Sequence, residues 1–289
     1  LATAWTRFVE LDKESRPDPG PATLAQYEGH WGAFIDWMAK NAPSIKTLVA
    51  VRDEHAKGFI SNLNAQGLSA GRVNKYKRFL KMFFRIMVPG SENPFAGIQT
   101  NKLVVQTAKQ PFTVEELRQI VARADGEMKT LFLLGAGTGL RLGDCLTLQW
   151  GEVDLARRLV FRVPHKTARK GETVKIGLPP TLAAHLASLP RRGPYVLPGL
   201  AAEYAAGKAP KITRRIQDHF EQCGIQTVKP GTGEGTKKRA VVLKGFHSFR
   251  HSYVSLNADA GTPQATMQKL VGHGSPMMTL HYLTPTDSM

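Results

Sequence analysis

Residues 244–284 read KGFHSFRHSYVSLNADAGTPQATMQKLVGHGSPMMTLHYLT and place His247, Arg250, His273 and Tyr282 in an ordered series. His247 and Arg250 stand three apart in a segment of helical spacing, so both side chains leave one helix face and can converge on a small anion such as a phosphate. Thr262-Pro263 reads as an N-cap followed by proline at the first helical position, and Gly272, His273 and Gly274 end that helix, which puts His273 in a turn. Ser275-Pro276 opens a further short helix with Tyr282 at its far end, before Thr284-Pro285 stops it.

Outward from that stretch, charge sets the class of partner. The chain has 289 residues, 42% hydrophobic content and a net charge of +16. That is an ordinary globular composition with room for two cores, and a charge that points to a polyanion, most often nucleic acid and sometimes an anionic membrane surface. A merely soluble basic surface is the plain alternative. No apolar run reaches the length of a membrane span, and residues 1–14 lack the layout of a signal peptide, so a cytoplasmic, nucleoid-associated protein is expected. Cys145 and Cys223 lie far from any CxxC pattern and read as core residues.

The first 107 residues are almost wholly helical in period. A short helix around Trp5 and Phe8 is interrupted at RPDPGP. A second, capped by Thr23, aligns Leu24, Tyr27, Trp31, Phe34, Ile35 and Met38, and a third spans residues 52–65. In the fourth, residues 69–88, Val73, Tyr76, Phe79, Leu80, Phe83, Phe84 and Met87 form one arc while Lys75, Lys77, Arg78, Lys81 and Arg85 form the other. The plain reading of the second arc is a solvated surface; in a chain this basic it is expected to track DNA phosphates. Residues 101–111 read as a linker, and Thr113 with Glu116 forms a capping box that opens the second domain. Basic residues exceed acidic ones on both sides of the linker, which suits a clamp around a duplex.

In the second half, a buried helix, a GAGTG turn and the helix LRLGDCLTLQW precede two β-prone runs, 159–163 and 173–176. The glycines are misplaced for a dinucleotide loop. The β-prone runs form a hairpin with Lys166, Arg169 and Lys170 near its tip, and helices follow near residues 181–189 and 211–223, the latter carrying Arg214 and Arg215 as further DNA-binding candidates. Arg141 follows the turn, and Asp144, one helical step on, is expected to orient its guanidinium, a surface ion pair being the plain alternative. Glu152 and Asp154 suggest a metal pair only if further carboxylates join them, and none clusters in sequence. His165, His219, His251 and His281 read as ordinary polar or capping residues, and Tyr253 as core.

Taken in order, TGLRLGD, HKT, HSFRH, LVGHGSP and LHY resemble the tyrosine recombinase (phage integrase) family, with gaps between Arg250, His273 and Tyr282 similar to those of its Xer branch. The resemblance implies a mainly α fold with a small antiparallel β-sheet in a two-domain C-shaped clamp: a helical, SAM-like core-binding domain at 1–100, the linker at 101–111 and a catalytic domain at 112–289. It also implies the roles. Arg141 and Arg250 grip the nonbridging oxygens, Tyr282 attacks, Lys166 protonates the leaving oxygen in preference to Lys170 or Lys175, His247 serves proton transfer and His273 donates to the phosphate. No cofactor, metal or ATP is implied. The partners implied are duplex DNA with specific recombination sites, a homotetramer on paired sites and accessory DNA-bending proteins, with no membrane.

Phe249 stands where the family has leucine, and His281 where arginine is common. Few residues follow Tyr282 compared with the tail that family members dock on a neighbouring protomer, so either a trimmed tail or a different assembly is expected, and an arm-binding domain ahead of Leu1 is left open. A topoisomerase of type IB and a DNA-binding regulator without cleavage activity are the alternatives. The target sequence and the direction of exchange are not legible.

Overall fold

The computed structural model describes residues 1–102, 109–164, 171, 173–231 and 240–271. Two compact units emerge among the described residues, the first holding 1–102 with 230–231 and 240, and the second those within 109–229 with 241–271. Among the described residues no helix is long and apolar enough to cross a membrane.

The first unit is four helices, α1 (Ala4–Glu10), α2 (Pro21–Asn41), α3 (Asp53–Ala65) and α4 (Ala70–Met87). Its core is aromatic: Trp31 stacks on Phe83 at 4.3 Å between ring centroids, Phe8 meets the same ring at 5.0 Å, and Phe34 meets Phe59 edge-on at 5.3 Å. Such pairs stabilise beyond their buried area, which helps a unit of this size hold together. Helix α2 starts two residues before the expected Thr23 cap, at Pro21, whose fixed φ suits a first turn. Helix α4 is capped by Ser69, whose hydroxyl accepts from the Arg72 N–H at 3.4 Å.

The second unit runs α5 (Val114–Ala122), α6 (Gly126–Thr138), α7 (Leu142–Leu146), β1 (Val153–Asp154), β2 (Leu159–Arg162), β3 (Val174–Gly177), α8 (Pro180–Ser188), α9 (Pro198–Ala205), α10 (Ala209–Gln222), β4 (Val228–Lys229), β5 (Val241–Val242), α11 (His247–Asp259) and α12 (Gln264–Val271). Strands β1, β2 and β3 form an antiparallel sheet in that order, with Val160 opposite Ile176. Strands β4 and β5 pair separately. The capping box at α5 is present in both directions, at 2.8 and 3.1 Å, and the Glu116 carboxylate that closes it also takes Lys244 Nζ at 2.6 Å. That contact ties α5 to the segment leading into α11.

Helix α11 lies across α6, and two glycines make the approach close. A Cβ on Gly135 would stand 2.9 Å from Phe246 and 3.0 Å from Phe249. Gly139 ends α6 in the left-handed region at φ +62, and a Cβ there would meet Tyr253 at 2.7 Å. The glycines of GAGTG therefore serve packing. They also account for Phe249, a ring larger than the family's leucine, which is fully buried against Phe112, Phe132, Phe220 and Phe246. Gly135→Ala should destabilise the chain by about 1 kcal/mol net, overpacking exceeding the gain in helix propensity. Urea midpoints at unchanged slope measure it, and Phe249→Leu in the same chain should relieve it.

Candidate active site

Arg250 projects from the first turn of α11 into the interior and is 2% exposed. One terminal nitrogen donates to the Gly139 carbonyl at 3.0 Å, and the other to the Val271 carbonyl. A planar fork of donors can hold two acceptors at once where an ammonium cannot do so in fixed geometry. Gly139 lies just before Arg141 and Val271 just before His273, so one guanidinium fastens the turn that launches the first arginine and the helix end that launches the second histidine.

His247 opens α11. Burial, then the neighbouring His251, Arg250, Lys109 and Arg141, hold its pKa down to about 3. The imidazole is therefore neutral near pH 7. His251, one turn on, is buried and meets it edge-to-face at 5.5 Å between ring centroids. His251 reads in sequence as an ordinary polar residue, although its spacing of four from His247 allows the contact. A cavity of about 320 Å³ opens beside His247, lined by Lys109, Leu142, Thr213, Gln217 and Gly245 among others. Lys109 comes from the expected linker, where no local pattern marks it, and is held near the site by the Gln110 N–H bond to the Leu243 carbonyl.

Arg141 is half-buried at the N-cap of α7, with extended ψ of 156. The expected Arg141–Asp144 pair does not form, because the three-residue spacing aligns side chains only when both residues are helical, and the chain is extended at Arg141. Asp144 instead faces Arg162 at 3.8 Å. Arg162 is itself buried, bonded to Glu152 at 2.7 Å and to the Thr147 carbonyl at 3.0 Å. Glu152 also caps the Gln149 N–H and Asp154 the Arg157 N–H, so both carboxylates weighed as a metal pair have structural partners. Among the described residues Arg141 has no ion-pair partner. Lys166, His273 and Tyr282, together with Arg169 and Lys170, lie outside the described residues.

The cationic arc of α4 divides in two. Lys75, Arg78 and Arg85 are exposed. Lys77 is not: it is 6% exposed, burial lowers its pKa, and its ammonium donates to the Gln99 carbonyl and to Asn101 Oδ1, both at 2.7 Å. That corrects its assignment to DNA. The segment after α4 folds back over it, and the period of the helix carries no signal of that. Lys81 is exposed but leans on the Ala96 carbonyl at 3.0 Å. Lys77→Met is expected to cost about 2 kcal/mol through the two acceptors left without a donor, with little change in duplex affinity; urea unfolding and fluorescence anisotropy separate the two effects. On α10, Arg215 is engaged by both Glu203 oxygens at 3.0 Å, while Arg214 is largely exposed with Asp218 at 3.9 Å.

Two arginines close enough to act electrostatically on a neutral imidazole, on a mainly α unit with a small antiparallel sheet, suit a phosphate-handling enzyme. The chain belongs to the phage integrase family, the tyrosine recombinases, whose sequence profile matches residues 110–289. These are enzymes that cleave and rejoin DNA. The chain is similar to the tyrosine recombinase XerC-like protein of Caldanaerobacter subterraneus subsp. tengcongensis, with 24% identity over 96% of this chain and 77% of that one. In fold it is similar to a lambda integrase dimer bound to a COC′ core site, with TM-score 0.70 and 15% identity over 100% of this chain and 79% of that one. A lambda integrase tetramer bound to a Holliday junction matches with TM-score 0.65 and 16% identity over 100% and 78%.

Proposed function

We propose that the protein is a site-specific recombinase that cuts and rejoins DNA through Tyr282. The observation that carries this reading is the meeting of Arg141, His247 and Arg250: residues from two distant stretches come together around one neutral imidazole and two guanidinium groups. Cleavage of a phosphodiester adds negative charge on a five-coordinate phosphorus, and two planar guanidinium groups suit its nonbridging oxygens. In the proposed step Tyr282 Oη bonds to phosphorus and its proton passes to the neutral His247. The bond from phosphorus to the 5′ oxygen breaks, and Lys166 protonates that oxygen. His273 donates to the phosphate. The products are a 3′-phosphotyrosyl link and a free 5′-hydroxyl, which conserves the bond for religation without ATP, cofactor or metal.

In the same reading residues 1–100 form a core-binding domain, 101–111 a linker and 112–289 the catalytic domain. Lys75, Arg78, Arg85, Lys81 and Arg214 remain candidate phosphate contacts, and Arg215, held by Glu203, is the weakest of that set. Two protomers would bind each site and four would exchange strands through a Holliday junction, with accessory DNA-bending proteins, in the nucleoid.

The test is a nicked suicide substrate pool in EDTA, scored for a covalent protein–DNA band on a denaturing gel. A band is expected from the wild type. Tight binding with no band would remove the catalytic reading and leave a DNA-binding protein.

A further inference from the structure

A cleft of about 690 Å³ in the first unit is lined by residues of α2 and of the first half of α4 with its Ser69 cap. Its walls carry Arg72, Lys75 and Arg78, all exposed, and among the described residues no carboxylate lines it. The N–H groups of Ala70 and Gly71, in the first turn of this eighteen-residue helix, have no acceptor among the described residues. His30 of α2 also lines the cleft. It is only 6% exposed, packs on Tyr76 at 4.1 Å between ring centroids, and its Nδ1 is buried with no hydrogen-bond partner. A buried ring nitrogen left unsatisfied is costly unless a ligand completes it. Beside it, Gly29 leaves the cleft open, since a Cβ there would meet nothing within 4 Å.

Three cations, a helix N-terminus and an unsatisfied imidazole nitrogen together define a site for a tetrahedral anion. We infer that this cleft seats one backbone phosphate of duplex DNA, with Arg72, Lys75 and Arg78 around it and His30 as a hydrogen-bond donor. The inference rests on the DNA-acting reading above and deepens it. The α4 residues Lys75 and Arg78 become two walls of a built pocket, to which Gly29 and His30 of α2 and Arg72 contribute the rest. A base edge fits less well, because three converging positive charges match an anion and would be left unbalanced around a neutral base.

The experiment uses the full chain and a fluorescein-labelled duplex of mixed sequence, with Kd followed against salt concentration. Gly29→Leu fills the cleft while improving helix propensity, so the fold is kept. It should weaken binding and reduce the slope of log Kd on log salt by about 0.9, the release expected for one phosphate. Arg72→Ala should produce the same reduction, and the double variant no more than either alone. His30→Phe retains the ring stacking but lacks the nitrogen, and should weaken binding with thermal unfolding undiminished. Wild-type affinity and slope in both Gly29→Leu and His30→Phe would overturn the inference. So would an equal shift of the His30 ring resonances in NMR with inorganic phosphate alone at the same concentration as the duplex, which would mark a free-anion site. Cleavage is not needed for any of these readouts, so failure of the suicide-substrate assay and failure of this pocket are separable.

Discussion

Tyr282→Phe should leave duplex binding unchanged and abolish the covalent protein–DNA band. The phenol oxygen is the proposed attacking atom, and its removal takes away the only group that becomes bonded to phosphorus. Removal of an activated nucleophile can cost on the order of 10⁶-fold in rate. The paired control is Tyr253→Phe. Tyr253 packs on Gly139 and its pKa is raised by burial, so its hydroxyl is hard to ionise and its loss should leave the band. A band that survives Tyr282→Phe and disappears with Tyr253→Phe would move the nucleophile to α11 and discard the assignment drawn from the sequence series.

Arg250→Ala should reduce both rate and stability. On the rate side, loss of one donor to a developing oxyanion costs on the order of 10²- to 10³-fold. On the stability side, the Gly139 and Val271 carbonyls lose their shared donor, at about 1–3 kcal/mol for each group left unmatched. Arg141→Ala makes the contrast, because Arg141 is half-buried with no ion pair among the described residues and should lose rate at nearly wild-type stability. Single-turnover cleavage alongside urea unfolding reads both quantities. If Arg141→Ala and Arg250→Ala lost stability equally and rate hardly at all, both arginines would be structural.

Much of this was legible in the sequence because it is written in local chemistry. The Thr113–Glu116 box and the apolar arc of α4 each follow from side chains within a few turns of one another. What escaped depends on distant segments. Lys77 sits on the polar arc by helical period, yet Gln99 and Asn101 return to cover it. Arg141 and Asp144 have helical spacing, but the chain is extended at the first of them. Arg162, buried between Asp144 and Glu152, belongs to a strand whose alternation gives no warning of an interior cation. The two-residue strands β4 and β5 are too short for any periodicity to register.

Arg250 has one further consequence, in the order in which the chain is made. Its guanidinium joins a carbonyl 111 residues earlier to one 21 residues later. At the usual pace of synthesis the ribosome needs roughly 6–20 s to pass from the first of these positions to Arg250. Until α12 has followed, the fork lacks its second anchor. The Arg250 anchor is thus among the last parts of the second unit to be assembled on a nascent chain, long after the helices of the first unit have been made.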